Sequence, residues 1–431
     1  MIEAVPKKPF VDTTCPLQVK ESLKCKLLAD EDHHLLQKSN CIGNFIREKM
    51  LFPFHPQRAA PGHLSSSELF WETDIPDVHY PFKEEIKNHF DRYEQTIEIQ
   101  KQGKVLKLKC LVIESKHAKE HHDVQNHLIV QGNTSDLKNN TPGIIPFLDS
   151  HIKNLKQQAD VKPARFIVFN HYDNHITYPQ GQIKRYLPAN MDEWGFVFKK
   201  AVETFTQEYG KFNSISAHSL GNMPILAQLK HFRGDDFARL FPQTLFLSKG
   251  ASSIYESSKN VPFQLNPYPW GWLLLMAPIM YFFAKLTGWT FEFDQTLVNY
   301  LKSVPKTREN IDLLKNMNLV LTEVKHDYYF PGKASLCASK KLDELEKLPL
   351  NLYRLSFRLP PTRTTKKGQH NYNLGGFQRQ HLEKEDLVEQ GRRMQTAKKP
   401  QEVFYKQMEH HLFLKHGMTL TDLVINSSLR I

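Results

Sequence analysis

The chain has 431 residues, 40 % of them apolar, enough for one large domain with additions or for two domains. Its formal net charge of +11 allows attraction to anionic surfaces, but no compact Lys/Arg cluster interleaved with aromatics is present, so nucleic-acid recognition is not expected. The five cysteines (Cys15, Cys25, Cys41, Cys110 and Cys337) are odd in number and lack C-x-x-C pairing, which argues for a reducing compartment and against a disulfide framework or a zinc site. No apolar run follows the basic start, so a cleavable signal peptide is not expected. The chain is expected in the cytoplasm, or exported without such a signal, with peripheral membrane attachment as a further option.

Residues 1–90 read as an accessory region, with helix candidates around 17–29 and 31–50 and a Pro-, His- and Ser-rich loop near 52–68. A further helical stretch, Pro81 to Phe90, leads into a core whose first part is expected over 91–254. Arg92 to Ile99 alternates like a strand, Lys101-Gln102-Gly103 turns, and Val105 to Ile113 returns as a hairpin partner. Strands follow at 126–130 and 164–169. The next loop contains His171-x-Asp173-x-His175, a metal-like spacing that 21 histidines produce by chance; no metal or cofactor is assigned to it. A helix over 190–209 precedes a short strand at 212–216, and Phe241 to Leu247 reads as another strand.

From Val261 to Ala284 no side chain is charged. The dense part, Trp270 to Ala284, is short for a spanning helix and Pro278 interrupts it, which disfavours a bilayer crossing. Residues 255–310 are read as an apolar lid, the plainer alternative being a buried helical hairpin of the core. Trp270, Trp272 and Trp289 suit a membrane interface, so peripheral membrane contact is expected through 261–289. The core resumes over 311–377 with strands at 318–324 and 352–357, and 378–431 forms a helical tail. Alternating strands and helices predict an α/β fold, a mostly parallel sheet with helices on both faces.

The chemistry lies in four stretches. Ala217-His218-Ser219-Leu220-Gly221 joins a strand to an apolar helix, the pattern of a nucleophile elbow. Asp327 follows the strand at 318–324 and precedes Pro331-Gly332, a position suited to an orienting acid. His370, in Gly368-Gln369-His370-Asn371, suits a general base. Oxyanion donors are expected from the N–H groups of Leu220 and of Asn133, the latter in Gln131-Gly132-Asn133-Thr134 after the strand at 126–130. His218 is assigned to packing.

On these motifs, over residues 93–377, the chain resembles serine hydrolases of the α/β-hydrolase superfamily, and its layout is similar to lipase-like proteins of intracellular bacteria. It departs from their pattern at Ala217, where glycine is usual, and at Gln131, where histidine often precedes the glycine. The resemblance implies acyl-ester chemistry without metal or cofactor. The expected substrate is an apolar acyl ester or lipid, cleaved through Ser219, Asp327 and His370. An acyltransferase using the same site, and an interaction module that has lost turnover, are the alternatives.

Overall fold

The computed structural model describes residues 18–48, 83–132, 147–156, 161–169, 174–258, 278–324 and 330–357, apart from isolated positions within them. Its centre is a 12-stranded sheet. The strands are β1 (Gln18–Val19), β2 (Leu23–Cys25), β3 (Phe90–Lys101), β4 (Lys104–Ser115), β5 (Gln125–Val130), β6 (Ala164–Phe169), β7 (His175–Thr177), β8 (Ile183–Arg185), β9 (Phe212–His218), β10 (Thr244–Ser248), β11 (Asn318–Val324) and β12 (Asn351–Phe357). They lie in the order β1-β3-β4-β6-β5-β9-β10-β11-β12, with β2 also on β3 and the small β7–β8 ribbon on β4. Pairing from β6 through β5, β9, β10 and β11 to β12 is parallel throughout. The β3–β4 hairpin and the β4–β6 pair are antiparallel.

The named helices are α1 (Cys41–Phe45), α2 (Lys83–His89), α3 (Met191–Tyr209), α4 (Asn222–Ala227), α5 (Asp236–Leu240), α6 (Ile254–Ser258), α7 (Phe293–Ser303) and α8 (Arg308–Lys315), and shorter helical pieces, one of them at 281–286, lie between them. The central strands are nearly continuous runs of buried side chains, as expected when helices cover both faces of a parallel sheet. The long helix α3 starts at Asn190, whose side-chain oxygen accepts the Glu193 N–H at 2.9 Å, a standard way of satisfying an otherwise orphaned donor. Its residues are buried almost without interruption from Met191 to Phe205, so it is a core helix rather than a surface one.

The N-terminal segment departs from the expected helix over 17–29. Residues 18–19 and 23–25 are strands, both parallel to β3. The long edge of β3 otherwise presents unpaired backbone groups, and this segment covers them. Leu23 and Cys25 face the core on alternate positions, the period of a strand. The candidate helix at 31–50 is reduced to a 3-10 turn at Asp32–His34 and the short α1. The segment is fastened from the other side by Glu193, whose buried carboxylate accepts the Leu36 N–H at 2.9 Å, the Tyr186 hydroxyl at 3.0 Å and the Ala189 N–H at 2.9 Å.

The second half of the stretch read as a lid is core. Trp289, Phe291, Phe293, Leu297, Val298 and Leu301 are all buried in the main apolar cluster. Trp289 is 0 % exposed and packs edge-on to Trp194, so it cannot serve a membrane interface in this arrangement. Residues 259–277, with Trp270 and Trp272, lie outside the described residues. Among the described residues no helix is long and apolar enough to cross a membrane.

Candidate active site

The sheet order places β9 between β5 and β10, with Ala217 level with Val130 on one side and Leu247 on the other. Carboxyl ends of adjacent parallel strands share one edge, where open α/β sheets bind their ligands. At that edge β9 ends and Ser219 begins a 3-10 turn, Ser219–Gly221, which runs directly into α4 and a last turn at Gln228–His231. Ser219 adopts φ +52°, a left-handed conformation that a non-glycine residue enters only at some cost. A serine in that conformation, between a buried parallel strand and a helix, is what a nucleophile elbow requires. It is 9 % exposed. Ala217, in place of the usual glycine, is 2 % exposed in a regular strand position, so its methyl is accommodated in the core.

Gly132, two residues after β5, lies beside this serine. A methyl group added at Gly132 would stand 3.1 Å from the Ser219 Cβ and 3.1 Å from the His218 carbonyl oxygen, a tight fit that a side chain could enter only if these neighbours gave way slightly. The side chain of His218 lies against the same glycine, in keeping with a packing role. Leu220, the first expected oxyanion donor, follows the serine in the 3-10 turn and is 5 % exposed. Asn133, the second, adjoins Gly132 in sequence and lies outside the described residues, as do Gln131, Asp327 and His370. The strands that precede the last two, β11 and β12, are described. Both run parallel to β9 through β10, so their carboxyl ends share its edge.

Asn222 belongs to this site and was not singled out from the sequence. It is 1 % exposed, and its side-chain amide donates to the Ser219 carbonyl at 2.8 Å and to the Ser248 carbonyl at 2.9 Å. One amide thus ties the turn holding the serine to the end of β10. The next residue on β10's side, Lys249, also has positive φ, at +50°, so two strained residues stand at the ends of adjacent strands. The only hint in the sequence is a polar residue within an apolar helix, three positions after the serine. Asn222→Ala leaves two buried carbonyls without this donor and is expected to cost about 2 kcal/mol of stability. Urea denaturation measures that loss, and a parallel fall in the rate of Ser219 modification would show that the amide positions the serine. An unchanged midpoint would mean the tie contributes nothing.

A mostly parallel sheet opened by an antiparallel hairpin, with a strained serine at the carboxyl end of a central strand, is the architecture of the α/β-hydrolase fold. Comparison of the sequence with family models and with curated proteins finds no match. Solved structures with a similar arrangement include a Pyrococcus furiosus esterase, Pf2001, at 13 % identity and TM-score 0.37, the match covering 64 % of this chain and 84 % of that one. A fungal esterase from Rhizomucor miehei matches at 11 % identity and TM-score 0.36, over 88 % of this chain and 99 % of its own. A thermostable esterase from Pseudomonas putida matches at 10 % identity and TM-score 0.33, over 70 % and 89 %. The strand order, rather than these distant likenesses, carries the assignment of fold.

Proposed function

We infer that the protein is a serine hydrolase that cleaves an apolar acyl ester through an acyl-enzyme. Ser219 attacks the carbonyl, and His370 takes the serine proton and returns it to the leaving alcohol. Asp327 holds the imidazole tautomer and stabilises the imidazolium. The Leu220 and Asn133 amides receive the oxyanion. Water then releases the acid; an alcohol in its place makes the same site an acyltransferase. The observation that carries this reading is Ser219 at φ +52° on the carboxyl edge of the parallel sheet, with Gly132 packed against it. Labelling by a fluorophosphonate probe tests it. Covalent modification at Ser219, absent from Ser219→Ala, is the expected result. A folded wild-type chain that takes no label supports instead the interaction module without turnover.

The preference for a lipid-like ester rests on a helical stretch at 281–286 and the residues just before it. Ile279, Phe282 and Leu286 are 45 %, 56 % and 62 % exposed, while Ala284 is buried against the core. Their spacing puts the three exposed apolar side chains on one helical face. An apolar face left to water marks a surface that meets lipid or another apolar partner. Phe282→Asp together with Leu286→Asp is therefore expected to lower association with anionic phosphatidylglycerol vesicles about tenfold or more, while hydrolysis of a short soluble ester stays unchanged. Vesicle sedimentation checks this, and equal binding by wild type and the double variant removes the reason for preferring lipid.

A further inference from the structure

Three side chains outside the proposed reaction converge on one point. His34 comes from the 3-10 turn at Asp32–His34, Asp192 from the first turn of α3, and His231 from the last turn of the helical run that begins at Ser219. The His34 Nδ1 lies 2.8 Å from Asp192 Oδ2, and the His231 Nε2 lies 3.5 Å from Asp192 Oδ1. One donor atom from each of the three lies within 4.8 Å of the others. In a tetrahedral zinc site with bonds of about 2.0–2.1 Å, neighbouring ligand atoms stand about 3.3 Å apart. The two histidine–carboxylate separations, one to each oxygen of Asp192, lie within about half an ångström of that spacing.

We propose that His34, Asp192 and His231 bind a divalent cation of the zinc type, with water in the fourth position. Two imidazoles and one carboxylate favour zinc and its first-row neighbours over magnesium or calcium, which prefer oxygen alone. The ligands are held from behind. Phe196, itself buried, stacks on the His34 ring at 5.1 Å and meets the His231 ring edge-on at 5.6 Å. Gln37 donates to Asp192 Oδ2 at 3.3 Å, and the Asn190 amide fixes Gln37 through its Oε1 at 2.6 Å. Such outer partners orient ligands and tune a site. Asp192 keeps a half-exposed side chain, which leaves room for the water. The nearby cations, Lys199 and Lys200, are matched by Asp236, Glu203 and Glu31.

Without the ion, His231 Nε2 donates to the Asp192 carbonyl at 3.0 Å. Ligation moves that proton to Nδ1 and turns the Nε2 lone pair to the metal. The ion would then pin the N-terminal segment to α3, which leads into β9, and to the helix that leaves Ser219.

Zinc titrated into the chelator-treated full chain tests the proposal. Calorimetry is expected to find about one ion per chain at this site. Saturating zinc is expected to raise Tm by about 5 °C, and magnesium to leave it unmoved. His34→Ala removes one ligand. His231→Gln removes another yet keeps a donor for the Asp192 carbonyl. Each variant, shown to be folded by circular dichroism, is expected to bind zinc at least about tenfold more weakly. The proposal is overturned if the wild type binds no zinc. It is equally overturned if both variants bind as tightly as the wild type, which would place the ion elsewhere among the 21 histidines. A Tm that falls in His34→Ala but ignores zinc in the wild type would leave only a hydrogen-bonded anchor, and would also overturn it.

Discussion

Ser219→Ala is expected to slow ester turnover by about four orders of magnitude or more while leaving the chain folded. The loss is large because a nucleophile and its base act as a unit. Without the hydroxyl, the base has no proton to take and no acyl-enzyme forms, and what remains is catalysis by binding and oxyanion donors alone. The same logic fixes the result of a double substitution. Adding His370→Ala to Ser219→Ala should slow the reaction no further, whereas His370→Ala alone should cost nearly as much as the serine. Asp327→Asn should cost less than either, since it disturbs only the tautomer and charge of the base. Strain supplies an independent reading. Ser219→Gly also loses the hydroxyl, but glycine occupies φ +52° without penalty. It should therefore be more stable than Ser219→Ala by about 1 kcal/mol. Initial-rate kinetics and thermal unfolding measure both. Retention of more than about one-hundredth of the wild-type rate in Ser219→Ala would remove this serine from the mechanism.

The sheet was legible because its signals are local. The strands at 164–169 and 318–324 fall on the residues that their β-branched and aromatic runs predict, and the helix at 190–209 begins within a residue of its cap. The elbow could be read because its small flanking residues, the serine and the following apolar helix are contiguous. What the sequence hid are contacts between distant parts. Leu23 to Cys25 became a strand because β3 needed a partner, and that need cannot be seen in residues 17–29 alone. Trp289 looked like an interface anchor until its partner Trp194, from α3, was known. The amide of Asn222 reaches the end of β10, and His34 meets Asp192 across 158 positions. A single sequence carries no signal for such pairs. The proposed acid and base differ again. Asp327 and His370 were read from residue type and turn chemistry and lie outside the described residues; what is described is the strand that precedes each in sequence, β11 and β12, whose carboxyl ends share the serine's edge.

Gly195→Ala is expected to destabilise the fold by about 2–4 kcal/mol, although the usual effect of this change within a helix has the opposite sign. An alanine in a helix interior is favoured over glycine by about 1 kcal/mol. Gly195 lies in the first half of α3, where that gain would normally appear. The neighbour forbids it. A Cβ built at this position would stand 2.5 Å from the Ala227 carbonyl carbon, 2.7 Å from its oxygen and 2.8 Å from the Gln228 nitrogen. All three are backbone atoms of the helical run that starts at Ser219, so no side-chain rotation can make room. The two helices must move apart, and close-packed interiors resist such shifts. Because this run carries the serine at its other end, the displacement should reach the active site. The variant should therefore lose both urea midpoint and fluorophosphonate labelling rate, whereas a core substitution remote from α4 should lose only the first. A Gly195→Ala protein as stable as the wild type, or more so, would mean that α3 and the elbow helix are not in contact, and would undo the account of how the serine is held.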